Sequence, residues 1–451
     1  MAEENLKSKF KDPDDILLEP VINTGKGFYI TVGILLAVIA WAAFAYICQL
    51  RWGLGVTGMN RPTFWGVYIT NFVFFIGISH AGTLISAILR IAQAEWRRAI
   101  TRSAEVITVM VLFIGLGNVI VDLGRPDRLM NPVIYGRFQS PLIWDFVSIS
   151  TYLTASSIYL YIPLIPDIAI IRDKTKKFRL FYTILAMGWK GTERQWRILE
   201  RLISIMAILV IPIAVSVHTV ISYVFAMTVQ PMWHSTIFGP YFVAGAIFSG
   251  IAALIIGMAI LRKAFNLEAY FRKIHFEYMG ILLLVMTLLW FYFTFCEYLT
   301  TYYGAEPSHM AVFWEKFNGR YAAPFWGMVL TCFIIPFAIL CNSKTRTITG
   351  TVIASVSVTI GMWLERFCII VPTLVNPRLP YDRGWYFPTW VEFSELAGSF
   401  AVFLLLYVLF TKFFPMISIW EIKEGREKGA EEVRERVDSY VPHFEKGEAK
   451  S

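Results

Sequence analysis

Ten apolar stretches constrain this chain more than any other feature, because each is near the roughly 20 residues that a helix needs to cross a membrane. They lie at 28–48, 64–89, 104–121, 141–165, 198–227, 237–262, 276–302, 323–341, 348–371 and 391–414. Only 16% of the 451 residues are charged, against about 25% in soluble domains. The runs are too long for the alternating strands of a barrel. The sequence therefore predicts an all-α integral membrane protein with about ten transmembrane helices.

The distribution of Lys and Arg predicts the orientation of these helices. With the N-terminus inside, the inner segments carry 29 Lys and Arg and the outer loops carry 9. Cytoplasmic loops are enriched in these residues, so both termini should be cytoplasmic and residues 122–140 should face outward. The basic stretch 166–197 is expected to be an inner loop close to anionic lipid. Residues 1–27 carry no signal-peptide pattern, and the tail 415–451 is expected to be a solvated helix.

A weak internal repeat predicts how the helices are grouped. The sequence FWGVYI at 64–69 resembles IFGPYF at 237–242. Both repeats would begin with a span that enters from outside, so they would be parallel rather than inverted. We therefore expect two four-helix bundles, spans 2–5 and 6–9, flanked by spans 1 and 10. Residues 28–230 would hold span 1 and the first bundle, and residues 231–414 the second bundle and span 10.

Ionisable side chains within the spans are the most informative about function, because a central Asp or Arg costs about 2.5–3.5 kcal/mol on insertion scales. These residues are His80, Glu105, Asp145, Glu200, His218, Glu277, Glu297, Glu365, Arg366, Glu392 and Glu395. Those at predicted span ends cost little and need no function, which applies to Glu105, Glu200, Glu277 and Glu392.

His80 lies well inside span 2, in GISHAGTLIS, where small neighbours let another helix or a flat ligand approach. A buried histidine can equally be a satisfied core residue. Span 3 ends at Asp122 and span 4 begins near Asp145, so antiparallel neighbours would bring the three around one outward-opening pocket. Such a trio suits quinol oxidation, because the two protons released need bases such as imidazole and carboxylate. The sequence thus favours a quinol pocket in the first bundle.

The turn DLGRPDR follows span 3 directly. Arg125 and Arg128 would keep neighbouring carboxylates ionised and would order the loop. Arg125 with Asp127 also fits a simple ion-paired turn.

Haem is the alternative use of histidine. A haem needs two facing axial ligands, and only His80 and His218 lie within spans. These two histidines could be the axial ligands of one haem, but the sequence lacks the four histidines that a two-haem cytochrome needs. The five Cys form no CxxC, so we expect neither an iron–sulfur cluster nor another metal in this chain. His218 is a further candidate for contact with quinol.

The second repeat carries a different set of charged residues. Glu297 lies near the outer end of span 7, and Glu365 and Arg366 are adjacent in span 9. Adjacent buried opposite charges can be a structural pair. Together with Glu277 and Glu395 they could instead form a route for protons.

Seven segments together resemble the NrfD/polysulfide-reductase membrane-subunit family. More closely, they resemble its ActC branch, the quinol-oxidising membrane subunits of bacterial alternative complex III. The segments are SHAGTLISAILR, DLGRPDR, SPLIWDF, WHSTIFGPYFV, EYMGILLL, EYLTTYYGAEP and WLERFCIIVPTL, and the resemblance covers about 28–414.

The resemblance implies paired four-helix bundles without haem in the bacterial inner membrane. It also implies a site for menaquinol or ubiquinol on the outer side, beside a periplasmic iron–sulfur/molybdopterin-like subunit. Multihaem cytochrome c subunits and a second NrfD-like membrane subunit would complete the complex. By motif, His80 and Asp122 would line the quinol pocket with Thr83, Arg125 and Arg128 nearby, and the second bundle's acidic residues would conduct protons.

Asp145 departs from this resemblance, because the wider family often has a small or neutral residue there. Two other functions also fit a polytopic chain. A secondary transporter predicts helices broken by Gly or Pro near the midplane of both repeats, and Pro212 and Pro336 lie in spans 5 and 8. A purely structural anchor for peripheral redox subunits would leave His80 and Asp145 without a role.

The charge asymmetry predicts the accessibility of each loop. In intact cells, a Lys174→Cys variant should resist an impermeant thiol reagent, whereas a cysteine placed within 122–140 should react. Labelling at position 174 from outside would contradict this orientation.

Overall fold

The computed structural model describes residues 13–379 and 381–440. The predictions for the N-terminal segment and the tail therefore fall partly outside the described residues, at 1–12 and 441–451. The described part of the chain consists of helices and loops without strands. Ten helices are long and apolar enough to cross a membrane, which confirms the predicted fold class.

The ten spans, α1 to α10, are Lys26–Trp52, Val67–Ile91, Thr101–Asp122, Pro141–Lys174, Glu193–Ala226, Phe238–Ala264, Lys273–Gly304, Ala322–Leu340, Ile348–Val375 and Trp390–Phe413. The shorter helices are Pro13–Leu18, Glu19–Ile22, Leu54–Val56, Glu95–Ala99, Pro126–Arg128, Asn131–Ile134, Arg179–Leu185, Pro307–Phe317 and Ile419–Tyr440. Since α4 and α5 extend into the predicted inner loop 166–197, much of that segment is helical.

The spans pack as two four-helix bundles. Helices α2 to α5 form one ring of neighbours and α6 to α9 form the other, while α1 lies along α10 and α10 contacts α2 and α3. The bundles meet where α2 contacts α6 and α9, and where α5 contacts α6. Helix α2 has 88% of its apolar window buried, the highest share among the ten. Its side chains therefore face protein on nearly all sides.

Two spans contain a π-helical segment, at Ala81–Ile85 in α2 and at Leu330–Ile334 in α8. Helix α5 continues through Pro212 without a break, whereas in α8 the π segment directly precedes Ile335 and Pro336. The two π segments thus lie in spans that do not correspond between the bundles, so they are not the paired breaks that the transporter alternative predicts.

The helix Ile419–Tyr440 packs against the end of the first bundle that is predicted to face inward. Its first residues bond to Asp167, whose carboxylate accepts the backbone N–H groups of Ile419 at 3.3 Å and Trp420 at 3.2 Å. Arg102 donates to the same carboxylate at 2.8 Å, and both side chains are at most 1% exposed. The expectation of a solvated tail is therefore wrong for the first turn of this helix.

Glu421 continues this docking contact. Its carboxylate pairs with Arg90 at 2.8 Å and Arg97 at 3.0 Å while its side chain is 3% exposed. Burial alone would raise the pKa of Glu421, but the two arginines outweigh it and hold the pKa below its usual range. The ion pairs therefore join α2 and the helical turn after it to the C-terminal helix.

Replacing Glu421 with Gln should destabilise the protein by about 3–5 kcal/mol, because two largely buried arginines would lose their partner. The stabilisation should be present above the unfolded pKa of about 4.3 and lost as pH falls through the lower folded value. Thermal unfolding in detergent measures both effects. Glu193→Gln is the matched control, since its ion pair with Arg197 is at the surface; equal losses for the two variants would contradict this account.

Candidate functional site

Polar side chains on α2 face tyrosines on α4 inside the first bundle. Thr83 and Tyr152 share a hydrogen bond of 2.5 Å between their hydroxyl oxygens. The Tyr152 hydroxyl also lies 3.1 Å from the backbone oxygen of Ser79. One turn further inward, the Ser86 and Tyr159 hydroxyl oxygens are 3.2 Å apart. These contacts satisfy hydroxyl groups that would otherwise be costly to bury.

Helix α3 approaches this part of α2 closely, and Gly82 permits it. A Cβ at Gly82 would collide with the backbone oxygen of Ala104 and the hydroxyl of Thr108. Thr108 in turn donates to the backbone oxygen of Ser79 at 2.6 Å. The π segment, a kind of irregularity that is common at functional sites, begins directly after His80.

His80 is fully buried, and its Nε2 lies 2.7 Å from the backbone oxygen of Ala214 on α5. A carbonyl oxygen can only accept, so Nε2 carries the hydrogen and the neutral ring has its lone pair on Nδ1. Among the described residues, Nδ1 has no partner with hydrogen-bond geometry, although the backbone of Ile76 on the same helix lies close to the ring. A buried polar atom without a partner requires an explanation. One explanation is that this nitrogen accepts a hydrogen bond from a substrate hydroxyl.

His218 lies against His80, with ring centroids 3.6 Å apart. Its Nδ1 is likewise buried without a partner in the described part of the chain. A metal–nitrogen bond is about 2 Å long, so axial imidazoles on opposite faces of an iron would be much farther apart than this. The geometry of the two rings does not fit the haem alternative.

The polar cluster continues from His218 into the second bundle. Arg366 on α9 is within electrostatic range of His218, and its guanidinium lies 4.6 Å from the centroid of the Phe242 ring. It pairs with Glu365 at 3.1 Å, and both side chains are at most 2% exposed. The cation–π contact supplements this pairing. The cluster therefore crosses the interface between the bundles.

Tyr241 and Glu297 extend the cluster toward the predicted outer side. Tyr241 neighbours Glu365, and it also lines a cavity of about 20 Å³ together with Glu297 and Lys316. Such a volume holds about one water molecule. Glu297 accepts a 2.7 Å hydrogen bond from Ser235 in the outer loop, and burial lowers the pKa of Lys316 to about 8. We name the series from His80 through His218, Arg366, Glu365 and Tyr241 to Glu297 the cross-bundle chain.

Asp122 does not share a pocket with His80. Thr108 lies beside Ser79, and Asp122 is fourteen residues further along α3. At 1.5 Å per residue it is about 21 Å nearer the predicted outer side than His80. It lies instead within electrostatic range of Glu392 on α10. The structure thus separates two residues that the sequence placed together.

The other residues that were predicted to contact quinol do not all lie at the depth of His80. Thr83 and His218 are next to His80, as described above. Asp145 precedes Tyr152 by seven residues on α4, which places it about 10 Å further outward, and its buried Oδ1 has no partner among the described residues. Arg125 forms an exposed 2.8 Å ion pair with Asp127, and Arg128 is exposed. These two arginines are therefore surface residues of the outer turn.

Likewise, only some of the residues that were predicted to form a proton route lie close to one another. Glu297, Glu365 and Arg366 belong to the cross-bundle chain. Glu277 lies at the inner end of α7, twenty residues from Glu297 and hence about 30 Å away. Glu395 lies near the outer end of α10, on the side of the molecule that holds Asp122, and Tyr68 is within electrostatic range of both carboxylates.

Two glutamates are deeply buried, although the sequence placed them at span ends, where they were expected to need no function. Glu392 is 0% exposed and accepts the backbone N–H groups of Gly58 at 2.7 Å and Thr389 at 2.9 Å. It therefore fixes the loop before α2 to the start of α10. Glu105 is 2% exposed and accepts a hydrogen bond from Ser86 at 2.6 Å. Helix α3 begins at Thr101 rather than at 104, so Glu105 lies inside the helix and not at its end.

Sequence reasoning identified Thr83 but missed the other polar residues that lead inward through the first bundle. Their signal is a spacing of three or four residues, which places side chains on one helix face. The stripes are Ser79, Thr83, Ser86 and Arg90 on α2, and Tyr152, Ser156 and Tyr159 on α4. Facing stripes of this kind predict polar contacts that single charged residues do not reveal.

Comparison with known proteins identifies the family. The profile described as "Polysulphide reductase, NrfD" matches residues 55–377. The chain belongs to the NrfD family. The matched region contains α2 to α9, so the NrfD family resemblance comprises both bundles and the whole cross-bundle chain.

Three curated proteins are similar to this NrfD-family chain. A putative membrane subunit of a dimethyl sulfoxide reductase from Halobacterium salinarum is 30% identical over 56% of the chain and 57% of that protein, so the chain matches little more than half of it. A selenate reductase subunit of Mesobacillus selenatarsenatis is 24% identical over 87% of the chain and 95% of that protein. The Hdr-like menaquinol oxidoreductase integral membrane subunit of Archaeoglobus fulgidus is 24% identical over 89% and 96%. The wider resemblance found in the sequence is confirmed, whereas none of these three relatives singles out its ActC branch.

Proposed function

We propose that this chain is the membrane subunit of a respiratory oxidoreductase that oxidises a quinol, with menaquinol as the first candidate. Membership of the NrfD family and the similarity to a menaquinol oxidoreductase membrane subunit support this proposal. The chain would deliver the electrons to an iron–sulfur partner, since a relative of nearly equal length is one of the subunits of a selenate reductase.

The observation that carries the proposal is the free lone pair on Nδ1 of His80. Fixed by Ala214 through Nε2, the imidazole can accept a hydrogen bond and then a proton from a quinol hydroxyl. The adjacent Thr83–Tyr152 pair supplies further hydroxyl groups at the same level. His80 is therefore the proposed catalytic base, and Thr83 and His218 are proposed to contact the quinol.

His80 and His218 are at most 1% exposed. A quinol ring can reach Nδ1 only if helices of the first bundle separate, and the π segment of α2 is the irregular element directly beside it. The proposal accordingly includes an opening of the bundle at Ala81–Ile85.

Protons from the quinol would leave along the cross-bundle chain. His218 can take the proton from His80, and Glu365, Tyr241 and Glu297 then offer acceptors toward the outer loop. The small cavity between Tyr241 and Glu297 has room for the water that such a transfer needs. Glu277 and Glu395 are not part of this route, because they lie at other positions in the membrane.

The partners and orientation follow the same proposal. The outer turn with Arg125, Asp127 and Arg128 is exposed and suits docking of a periplasmic iron–sulfur subunit. An assembly like alternative complex III would add multihaem cytochromes c and a second NrfD-like subunit in a bacterial inner membrane, with both termini of this chain cytoplasmic. The seven sequence segments that resemble ActC support this finer assignment.

Replacing His80 with Ala should lower quinol-dependent electron transfer by at least about tenfold, because general base catalysis contributes 10²–10⁴-fold. His80→Gln, which keeps an amide donor for Ala214, should lose a similar factor. Stopped-flow reduction of the partner's redox centres measures this. Asp122→Asn is the matched control and should retain most of the rate, since it lies about 21 Å away. Wild-type turnover in an assembled His80→Ala complex would refute the assignment.

Replacing Glu297 with Gln should slow proton release to the outer side, and quinol oxidation with it, because the variant removes an acceptor from the route by which protons leave His80. A pH-sensitive dye in reconstituted vesicles measures the release. Glu277→Gln changes the same residue type on the same helix and should have no effect. Equal behaviour of the two variants would remove Glu297 from the route.

A further inference from the structure

A cluster of metal-binding side chains lies in the outer connections of the second bundle. His234 belongs to the loop before α6, and Glu306 and His309 belong to the start of the helix Pro307–Phe317. One potential ligand atom from each of the three lies within 4.8 Å of the others. The Nε2 atoms of the two histidines are 3.0 Å apart, and Oε2 of Glu306 is 3.8 Å from His309.

These separations fit one small divalent ion. With bonds of about 2.1 Å, the ligand atoms around a tetrahedral Zn²⁺ are about 3.4 Å from one another. Shifts of a few tenths of an ångström would bring the His234–His309 and His309–Glu306 contacts to this separation, and the ligand atoms of His234 and Glu306 lie within 4.8 Å of each other. Two imidazoles and one carboxylate are also a ligand set that Zn²⁺ accepts, with a fourth position left for water.

Neighbouring groups orient two of the three ligands, as at established metal sites. Nδ1 of His234 lies 3.1 Å from the backbone oxygen of Gln230, so it carries the hydrogen and leaves the Nε2 lone pair toward His309. Oε1 of Glu306 accepts from Ser308 at 2.8 Å and faces Arg378 at 3.7 Å. The other oxygen, Oε2, is thereby directed to His309.

We propose that His234, Glu306 and His309 form a binding site for a divalent transition-metal ion, with Zn²⁺ as the probe. The ion would cross-link the α5–α6 and α7–α8 connections on one side of the second bundle. It would lie one residue from Ser235, which donates to Glu297. A direct hydrogen bond between the two histidines is the competing explanation of their short distance, and it predicts no metal.

Equilibrium dialysis of the purified full-length protein with its co-purifying subunits, stripped with EDTA and titrated with Zn²⁺, tests the proposal. The wild type should bind one zinc more than the His234→Ala variant. Loss of a ligand should weaken binding at this site by at least about tenfold, since even loss of a neighbouring orienting group costs 10–100-fold. Glu306→Gln preserves size and should show the same loss if an alanine variant fails to assemble.

Glu315→Gln is the matched control, because it alters a carboxylate on the same helix outside the cluster and should bind zinc as the wild type does. X-ray absorption of the bound zinc should show two imidazole ligands. Equal zinc content in the wild type and in the His234→Ala and Glu306→Gln variants would overturn the site. The readout is bound metal, so the result does not depend on whether the chain oxidises quinol.

Discussion

The buried hydroxyl, imidazole and carboxylate groups of α2 and its neighbours impose the constraint on which the rest of the structure depends. In a membrane, such groups must find partners within the protein, because lipid offers none. Tyr152 and Tyr159 on α4 satisfy the hydroxyl groups of Thr83 and Ser86, and α3 supplies Thr108 and Glu105. The first bundle is arranged so that three helices enclose these groups, which explains why α2 is the most buried span.

The position of α2 also connects the two halves of the molecule. Helix α2 contacts α6 and α9 as well as its own bundle, so its central histidine lies close to the interface. His218 and Arg366 complete the connection. In the proposed function, His80 would be a base at the centre of one bundle and the cross-bundle chain an acid–base series through the other, as coupling of quinol oxidation to proton release requires. Under the proposed function, the division into two bundles is thereby functional rather than only architectural.

The sequence predicted the architecture well and the site only in part, for physical reasons that particular residues illustrate. Apolar length identified all ten spans, since it depends on local composition. The joint pocket of His80 and Asp122 was inferred from antiparallel order alone, but their separation along the membrane depends on where in each helix the residues lie. Glu105 and Glu392 were judged by their nearness to span ends, whereas burial depends on neighbours such as Ser86 and Gly58. Docking of the C-terminal helix joins segments more than 250 residues apart, which no local pattern reveals.

The central claim is that quinol binds in the first bundle against Nδ1 of His80, rather than beside Asp122, Glu392 and Glu395. A cryo-electron microscopy structure of the assembled complex with a bound quinol analogue tests this most directly. The account predicts a ring hydroxyl within hydrogen-bond distance of His80, with α2 displaced around Ala81–Ile85. An analogue held beside Asp122 and Glu395, with His80 still enclosed against Ala214 and His218, would contradict it.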